Sequence, residues 1–252
     1  MLRHSLFQKL RYLVSQWPPA QRAYNAFRLL VTPTFLEDGL ATIHNCDFLK
    51  DPQFAEAYDT ALAQQPDVRI RWRAHVTQWA GFHASRLDGD FVECGVNRGF
   101  LSASVMKFVG FESLTDRRFF LFDTYSGLVE EQVTDRDTAA YRNVYEDCHR
   151  FVMESFRKYR NVIVVKGVVP ESLSTVAIDK VAYLSIDMNC AFPEIAALEH
   201  FWPRLVRGGV VVLDDYGFSG HEEQKEGADR FAAARNVRIL SLPTGQGLLI
   251  KP

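Results

Sequence analysis

The fold is decided by the stretch DFVECGVNRGF, residues 90–100. Asp90 to Cys94 is short and apolar, as expected of a buried strand, and Phe100 to Val109 has the pattern of a helix. The connection contains Gly95 and Gly99, which allow backbone conformations and close approaches that a Cβ atom would obstruct. A strand, a glycine turn and a helix in this order predict the first βα unit of a parallel sheet.

The same alternation continues to the end of the chain. Further strands are predicted at Arg118–Phe122, Asn161–Val165, Val181–Ile186 and Gly209–Leu213, and further helices at Tyr141–Tyr159, Pro193–Leu205 and Glu222–Arg235. The last two strands, Val237–Leu242 and Leu248–Lys251, are separated by a turn short enough for antiparallel pairing. We predict an α/β fold with a doubly wound, Rossmann-like, mainly parallel seven-stranded sheet and an antiparallel last strand.

The sequence pattern of the first 80 residues predicts helices and no strand. The helical segments are Leu6–Val14, Ala20–Leu30, Pro52–Gln64 and Arg71–Leu87. We therefore expect residues 1–80 to form a helical N-terminal extension or lid, and residues 81–252 to form the main domain. The extension carries several aromatic residues, which predict that it covers the side of a ligand pocket where an acceptor substrate binds, or that it builds a dimer interface. The alternative is ordinary packing on the main domain. These aromatic residues are Phe7, Tyr12, Trp17, Tyr24, Phe27 and Phe35.

Composition excludes several classes of protein. The 252 residues carry 29 Lys and Arg against 31 Asp and Glu, a formal charge of −2, which disfavours electrostatic binding of nucleic acid. No apolar run approaches the ~20 residues needed to span a bilayer, and the N-terminal stretch does not have the pattern of a signal peptide. The four cysteines lie far apart, which argues against a disulfide framework or a zinc ribbon. We expect a cytoplasmic, globular protein.

Ligands of open α/β sheets bind outside the carboxyl ends of the strands. The glycine turn lacks both the G-x-G-x-x-G fingerprint and the G-K-[ST] ending of a phosphate loop. Asp123 ends the second strand, where a carboxylate is placed to accept hydrogen bonds from both hydroxyls of a ribose; the alternative is a cap of the next turn through Ser126. These features suggest a nucleoside ligand without phosphates, such as S-adenosylmethionine, although an ordinary tight βα turn remains an alternative.

Other strand ends complete the expected cofactor site. Glu93 is placed to engage the cofactor's amino group directly or through its surroundings, and Gly167 is placed to pass the adenine edge. The expected cofactor-binding residues are Glu93, Gly95, Arg98, Gly99, Asp123, Ser126, Gly167 and Asp187.

Acidic residues follow the fourth and fifth strands of the main domain. Asp187 and Asn189 end one strand, and Asp214 and Asp215 end the other. Because neighbouring strands lie ~4.8 Å apart, these side chains are expected to converge. No Lys or Arg lies within the next five residues to offer a local ion pair, so a divalent cation, magnesium first, would relieve the repulsion of the three carboxylates. The Asn189 amide oxygen could supply a fourth ligand; the alternative is that an acid caps the following helix or turn.

Four segments resemble the macrocin O-methyltransferase (TylF-like) family. They are Phe91–Gly99, Leu121–Leu128, Tyr183–Asn189 and Leu213–Gly217, and the resemblance runs from about Asp38 to the C-terminus. It implies a class I methyltransferase fold, S-adenosylmethionine as cofactor, and magnesium-assisted methylation of sugar hydroxyls. It also implies site roles: Glu93, Gly95 and Gly99 around the cofactor, Asp123 on its ribose, and Asp187, Asp214 and Asp215 as metal ligands.

One position departs from the family pattern. The antibiotic-sugar enzymes carry Asp-x-Asp where this chain has Asp187 and Asn189, and their second aspartate is the proposed general base. An amide cannot take a proton near neutral pH. We therefore expect Asp187, Asn189, Asp215 and His221 to form the catalytic set, with His221 as the first candidate base and Glu194 as the second.

The leading hypothesis is an S-adenosylmethionine-dependent O-methyltransferase that acts on a hydroxyl of a sugar or glycosylated metabolite and forms a homo-oligomer. One alternative is a cofactor-binding protein without turnover, motivated by Asn189. Another is a methyltransferase with a non-sugar acceptor. A nicotinamide-dependent oxidoreductase is disfavoured, because the glycine loop is wrong and no Tyr-x-x-x-Lys pair is evident.

Overall fold

The computed structural model describes Tyr12 and residues 17–134 and 144–252. The chain divides into two compact units, Met1–Leu49 and Lys50–Pro252. The sequence placed the division near residue 80, whereas the helices between residues 50 and 84 belong to the second unit. The predicted helix at Leu6–Val14 lies outside the described residues, apart from Tyr12. The role of residues 1–80 as an extension or lid stays a prediction.

The first unit contains a helix and a hairpin. Helix α1 (Pro18–Val31) begins with proline at its first position, where the missing N–H costs no hydrogen bond. The prediction of no strand is wrong, because β1 (Phe35–Glu37) and β2 (Leu40–Thr42) pair antiparallel. Asp38 and Gly39 form the turn with φ values of 54° and 72°. An Asp-Gly pair with two positive φ values fits a two-residue hairpin turn, so the signal was in the sequence.

The second unit begins with two helices. Asp51 caps helix α2 (Pro52–Leu62), and its side chain accepts a hydrogen bond from the Gln53 N–H at 2.9 Å. Helix α3 (Arg71–Ala84) has no side-chain cap at its start and no acidic residue in its first turn.

A seven-stranded sheet forms the centre of the second unit. Its strands are β3 (Asp90–Cys94), β4 (Phe119–Asp123), β5 (Val162–Lys166), β6 (Val181–Ile186), β7 (Leu205–Leu213), β8 (Leu240–Ser241) and β9 (Gly247–Ile250). Their order is β5-β4-β3-β6-β7-β9-β8, in which β3 to β7 are parallel and β9 is antiparallel to both its neighbours. The predicted sheet, with its antiparallel last strand, is confirmed.

Helices cover both faces of this sheet, as a doubly wound fold requires. In the described part of the chain, the α-helices that follow α3 are α4 (Phe100–Val109), α5 (His149–Phe156), α6 (Ala191–Phe201) and α7 (Glu222–Ala234). Side chains alternate along the strands: Phe91 packs with the buried residues of α3, α4 and α5, whereas its neighbour Val92 packs with those of α6 and α7. The core therefore lies on both sides of the sheet.

Several element bounds differ from the prediction. Helix α5 begins at His149 rather than Tyr141, because residues 144–148 are not helical and the Asp147 carboxylate accepts the His149 N–H at 3.2 Å. Residues 141–143 lie outside the described part of the chain. Helix α6 ends at Phe201, where Pro203 limits the following turn to a short 3-10 helix. Strand β7 starts at Leu205, earlier than expected, and β8 is shorter than expected.

Strand β3 has parallel neighbours on both sides, β4 and β6, and the chain moves outward from it in opposite directions. Such a switch point opens a crevice at the carboxyl ends of the strands, where ligands of doubly wound sheets bind. Among the described residues, no helix is long and apolar enough to cross a membrane.

Candidate active site

The glycine loop crosses directly over the end of β6. Gly95 has a φ of 88°, and a Cβ atom there would lie 1.7 Å from the Asp187 carbonyl oxygen. Gly99 precedes helix α4 with a φ of 86°, and its Cβ would lie 2.5 Å from the Phe156 ring. Both glycines are therefore required by contacts within the chain. The expected reason for Gly95, close approach of a ligand to the backbone, is not needed to explain it.

Asp123 holds this loop in place. Its Oδ2 atom accepts hydrogen bonds from the N–H groups of Val96 and Asn97, both at 2.7 Å, and its Oδ1 atom accepts one from Tyr125 N–H at 2.5 Å. A carboxylate offers about four acceptor positions. The fourth receives only a long contact of 3.4 Å from the Thr124 hydroxyl. One position is thus open to exchange with a ligand hydroxyl, rather than the two that the sequence suggested.

Two other expected cofactor residues lie beside Asp123. Gly167 donates its N–H to the Asp123 carbonyl oxygen at 2.9 Å, and a Cβ on it would lie 2.8 Å from the Ser172 Cβ. Ser126 is exposed, and its hydroxyl donates to the Thr124 carbonyl oxygen at 3.4 Å. The alternative in which Asp123 caps its turn through Ser126 is not what the structure shows, because Asp123 accepts from the Tyr125 N–H instead.

Arg98 makes contacts within the fold. Its Nε donates to the Gln64 carbonyl oxygen at 3.1 Å, and its guanidinium lies 4.1 Å from the centre of the Phe151 ring. These contacts join the loop to the end of α2 and to α5. A role for Arg98 in binding cofactor stays a prediction.

Glu93 is a buried acid beneath the glycine loop. Its side chain is 2% exposed and accepts a hydrogen bond from the Ser102 hydroxyl. Burial raises the pKa of Glu93 to about 8, against the opposing effect of that hydrogen bond and with small contributions from the charges of Asp214 and Asp123. Glu93 is therefore mostly protonated at neutral pH.

A Glu93→Gln variant tests this assignment. With a pKa of about 8 in the folded state and an ordinary value of 4.5, the folded chain keeps a proton that the unfolded chain loses. The stability that Glu93 contributes is therefore lost as the pH rises from 4.5 to about 8. Glutamine cannot ionise. As the pH rises, the free energy of unfolding of the variant should therefore fall less steeply than that of the unsubstituted chain, with slopes that differ by up to about 1.4 kcal/mol per pH unit. Urea unfolding between pH 5 and pH 8 measures it.

The exposed Glu154, 69% accessible, provides the matched control. Glu154→Gln makes the same substitution at an exposed site and gives the pH profile of stability against which Glu93→Gln is compared. A Glu93→Gln profile with the same slope as that of Glu154→Gln would contradict the raised pKa of Glu93.

The predicted acidic cluster is present. One ligand atom each from Asp187, Asp214 and Asp215 lies within 4.8 Å of the other two, and Asp214 and Asp215 are buried. Burial raises the pKa of Asp187 well above its usual range, and the charges of Asp214 and Asp215 raise it further. Asn189 has a φ of 56° and its amide donates to Asp187 Oδ1 at 3.4 Å. Three acids therefore meet where β6 and β7 end, and their proximity disfavours the charged form of Asp187.

The sequence reasoning missed Arg73, which forms an ion pair with Asp214. Arg73 comes from the first turn of α3, 141 positions before Asp214, so proximity along the chain does not indicate the pair. The other Asp214 oxygen accepts the Gln246 amide at 2.8 Å. The one available signal was a helix start with two arginines and no acid.

Both candidate bases are buried near Asp215. His221 is 4% exposed at the start of α7; its Nδ1 lies 3.6 Å from Asp215 Oδ2 and 2.7 Å from the Gln224 amide nitrogen. The sequence predicted a loop position for His221, and the structure places this residue beside Asp215. Glu194 lies in α6, and its carboxylate accepts the Met188 N–H at 3.2 Å. Burial and the charge of Asp215 raise the pKa of Glu194.

Comparisons with known proteins agree with this geometry. The family model Macrocin-O-methyltransferase (TylF) matches residues 74–240. Demethyldecarbamoylnovobiocin O-methyltransferase of Streptomyces niveus is 27% identical over 142 residues, which cover 52% of this chain and 54% of that protein. The chain thus matches about half the length of this curated relative.

Solved structures share the fold. The O-methyltransferase NovP has a TM-score of 0.63 and 21% identity, covering 71% of this chain and 79% of its own. CalS11, a calicheamicin methyltransferase, has a TM-score of 0.59 and 16% identity, covering 79% of this chain and 93% of its own. The class I methyltransferase fold is therefore confirmed, and with the match of the family model the chain belongs to the macrocin O-methyltransferase (TylF) family.

Proposed function

We propose that the chain transfers a methyl group from S-adenosylmethionine to a hydroxyl of a small-molecule acceptor, a sugar or glycosylated metabolite, with help from a divalent cation. The observation that carries the proposal is the direct contact of two parts of the site. The glycine loop at Gly95 leaves no space for a Cβ atom above Asp187, so the loop and the acidic cluster are contiguous. A second structure of CalS11, described as a TDP-rhamnose 3′-O-methyltransferase, supports a sugar acceptor by analogy.

The residues around β3 and β4 fit a nucleoside cofactor. Asp123 retains one exchangeable acceptor position for a ribose hydroxyl, and the loop that it fixes lies at the switch point of the sheet. S-adenosylmethionine, when bound, supplies an electrophilic methyl group on a sulfonium. We propose that Gly95, Gly99 and Gly167 shape this site and that Glu93 supports it from below.

The acidic cluster fits a divalent cation in its chemistry. Three carboxylates lie within 4.8 Å of one another, two of them buried, and Arg73 offsets one of their charges. Asp187, Asp214 and Asp215 would hold the ion, with the Asn189 amide as a neutral addition. A bound cation would lower the pKa of the acceptor hydroxyl. Asp214 already accepts hydrogen bonds on both oxygens, so Asp187 and Asp215 would carry most of the binding.

Proton removal is assigned first to His221, because the amide of Asn189 cannot accept the proton. For Nε2 of His221 to act as base, Nδ1 must carry a proton. Asp215 Oδ2 at 3.6 Å, or the Gln224 side chain after its amide rotates, provides an acceptor for that proton. Glu194 is the second candidate, although its carboxylate is committed to the Met188 N–H.

A second candidate function is a binding protein that retains the cofactor site without turnover. The observation in its favour is Asn189, whose amide donates to Asp187 instead of providing a carboxylate. A methyltransferase with a non-sugar acceptor is a further alternative. A homo-oligomeric state and a cytoplasmic location are predictions from the sequence alone.

Formation of S-adenosylhomocysteine tests the proposal. The chain is incubated with S-adenosylmethionine, Mg²⁺ and a panel of nucleotide sugars and glycosides, and product is measured by mass spectrometry. Stoichiometric formation of S-adenosylhomocysteine and a methylated sugar is expected. Tight cofactor binding with no product from sugars or from catechol-type acceptors favours the binding protein.

An Asp123→Asn variant is expected to weaken S-adenosylhomocysteine binding by about 1.5–3 kcal/mol, the range for hydrogen bonds to a charged group. The loss has two sources, because the amide replaces an acceptor of loop N–H groups and the partner of a ribose hydroxyl. Calorimetry measures the affinity. Asp116→Asn, the same change in an aspartate whose side chain is 69% exposed and which lies outside the expected site, is the control and should bind normally. Equal affinities for both variants would place the ribose elsewhere.

A further inference from the structure

Arg73 inserts a fixed positive charge into the acidic cluster. Its guanidinium forms an ion pair with Asp214, whose side chain is 1% exposed, and lies 5.0 Å from the centre of the Phe218 ring. A cation that is paired on one side and covered by an aromatic face on another is held in a defined position.

The position of Arg73 in its helix is unfavourable for the helix itself. Arg71 and Arg73 occupy the first turn of α3, which has no acidic residue and no side-chain cap. The N-terminus of a helix carries partial positive charge, so cations there are destabilising. The contact with Asp214 offsets this cost, which indicates that the guanidinium serves the cluster rather than the helix.

Asp214 is also fixed from its other side. Gln246 is fully buried, and its amide oxygen accepts from the Thr244 hydroxyl at 3.0 Å. This contact orients the amide nitrogen of Gln246 toward Asp214 Oδ1, at 2.8 Å. Asp214 is therefore an acid whose two oxygens both accept hydrogen bonds from the protein.

The field of Arg73 extends beyond Asp214. Oxygens of Asp187 and Asp215 lie within 4.8 Å of an oxygen of Asp214, the ion-pair partner of Arg73, so its charge acts on all three acids. Any divalent cation that enters the cluster meets the same guanidinium at short range, and like charges repel strongly in a buried site.

We propose that Arg73 is a built-in counterion that competes with a divalent cation for the acidic cluster and so limits the affinity of the metal site. This inference rests on the metal site of the proposed function. It assigns to Arg73 two effects of opposite sign: stabilisation of the metal-free fold and weakening of metal binding.

Arg73→Gln separates these effects. Glutamine removes the charge but is polar and a good helix former, so the fold is expected to survive. In chelator, the variant should unfold at a lower temperature than the unsubstituted chain, because Asp214 has lost its counterion. Its Mn²⁺ affinity, measured by calorimetry or by the paramagnetic signal of free Mn²⁺, should rise by about tenfold or more. Arg73→Lys keeps the charge and should bind Mn²⁺ close to normally.

Arg230→Gln is the matched control, because the Arg230 side chain is 75% exposed and forms a surface ion pair with Glu226 of the same helix, α7. This variant should change neither the unfolding temperature in chelator nor the Mn²⁺ affinity. Equal or weaker Mn²⁺ binding by Arg73→Gln overturns the inference, as does a failure of every variant to bind Mn²⁺. Mn²⁺ binding that Arg73→Gln does not strengthen refutes the counterion alone, whereas failure of the unsubstituted chain to bind Mn²⁺ also refutes the metal site of the proposed function. S-adenosylhomocysteine titrated into the same samples reports on the cofactor site independently.

Discussion

An Asp215→Ala variant is expected to lose methyl transfer while keeping nearly normal affinity for S-adenosylhomocysteine. Asp215 is one of the three clustered carboxylates, and Asp214 is a poorer choice for the test because Arg73 and Gln246 also depend on it. Loss of a metal ligand removes several kcal/mol of transition-state stabilisation, so the rate should fall by about three orders of magnitude. Initial rates with saturating Mg²⁺ and the identified acceptor measure the effect.

Chelation provides the parallel arm of this experiment. Removal of divalent cations from the unsubstituted chain should reproduce the Asp215→Ala rate, and restored Mg²⁺ should recover activity only when Asp215 is present. His221→Gln, added to the same series, distinguishes a ligand from a base: it should lower the rate without changing the dependence on Mg²⁺. Full activity in chelator would falsify the metal assignment.

A Gly95→Ala variant is expected to lose about 4 kcal/mol of stability or to fail to fold. The added Cβ would lie 1.7 Å from the Asp187 carbonyl oxygen and 2.3 Å from its carbonyl carbon. Both atoms belong to the backbone at the end of β6, so no side-chain rotation can relieve the contact. The φ of 88° adds strain for any residue with a side chain. Urea unfolding, or the yield of folded protein, measures the loss.

Gly220→Ala separates strain from collision. Gly220 also has a positive φ, 93°, but its Cβ would meet no atom within 4 Å. The cost of the backbone conformation alone should be about 1–2 kcal/mol. A Gly95→Ala variant no less stable than Gly220→Ala would show that the loop can move away from Asp187 and that the two halves of the site are not rigidly joined.

The sheet and the convergence of the acids could be predicted from sequence because both follow from local rules. Apolar runs that end at glycine or aspartate indicate buried parallel strands, and parallel strands bring their carboxyl ends to one edge. Asp187 and Asp214 therefore meet, as predicted. The hairpin at Asp38-Gly39 was also readable, and was missed because three-residue strands have almost no periodicity.

The remaining features of the site depend on contacts between distant residues. Arg73 and Asp214 are separated by 141 positions, and the two arginines at a helix start without an acid do not indicate which distant residue Arg73 contacts. Asp123 was correctly singled out at the end of β4, but its use of backbone N–H groups from Val96 and Asn97 follows from the path of the loop. Burial of His221 likewise depends on how α7 packs, which spacing along the chain does not determine.

The most direct test is a crystal structure of the chain grown with S-adenosylhomocysteine and Mn²⁺, with anomalous data collected near the manganese edge. The account predicts the nucleoside across the ends of β3 and β4, with a ribose hydroxyl on Asp123, and one anomalous peak between Asp187 and Asp215. A nucleoside bound away from the glycine loop, or full cofactor occupancy with no anomalous peak at the acidic cluster, would contradict it.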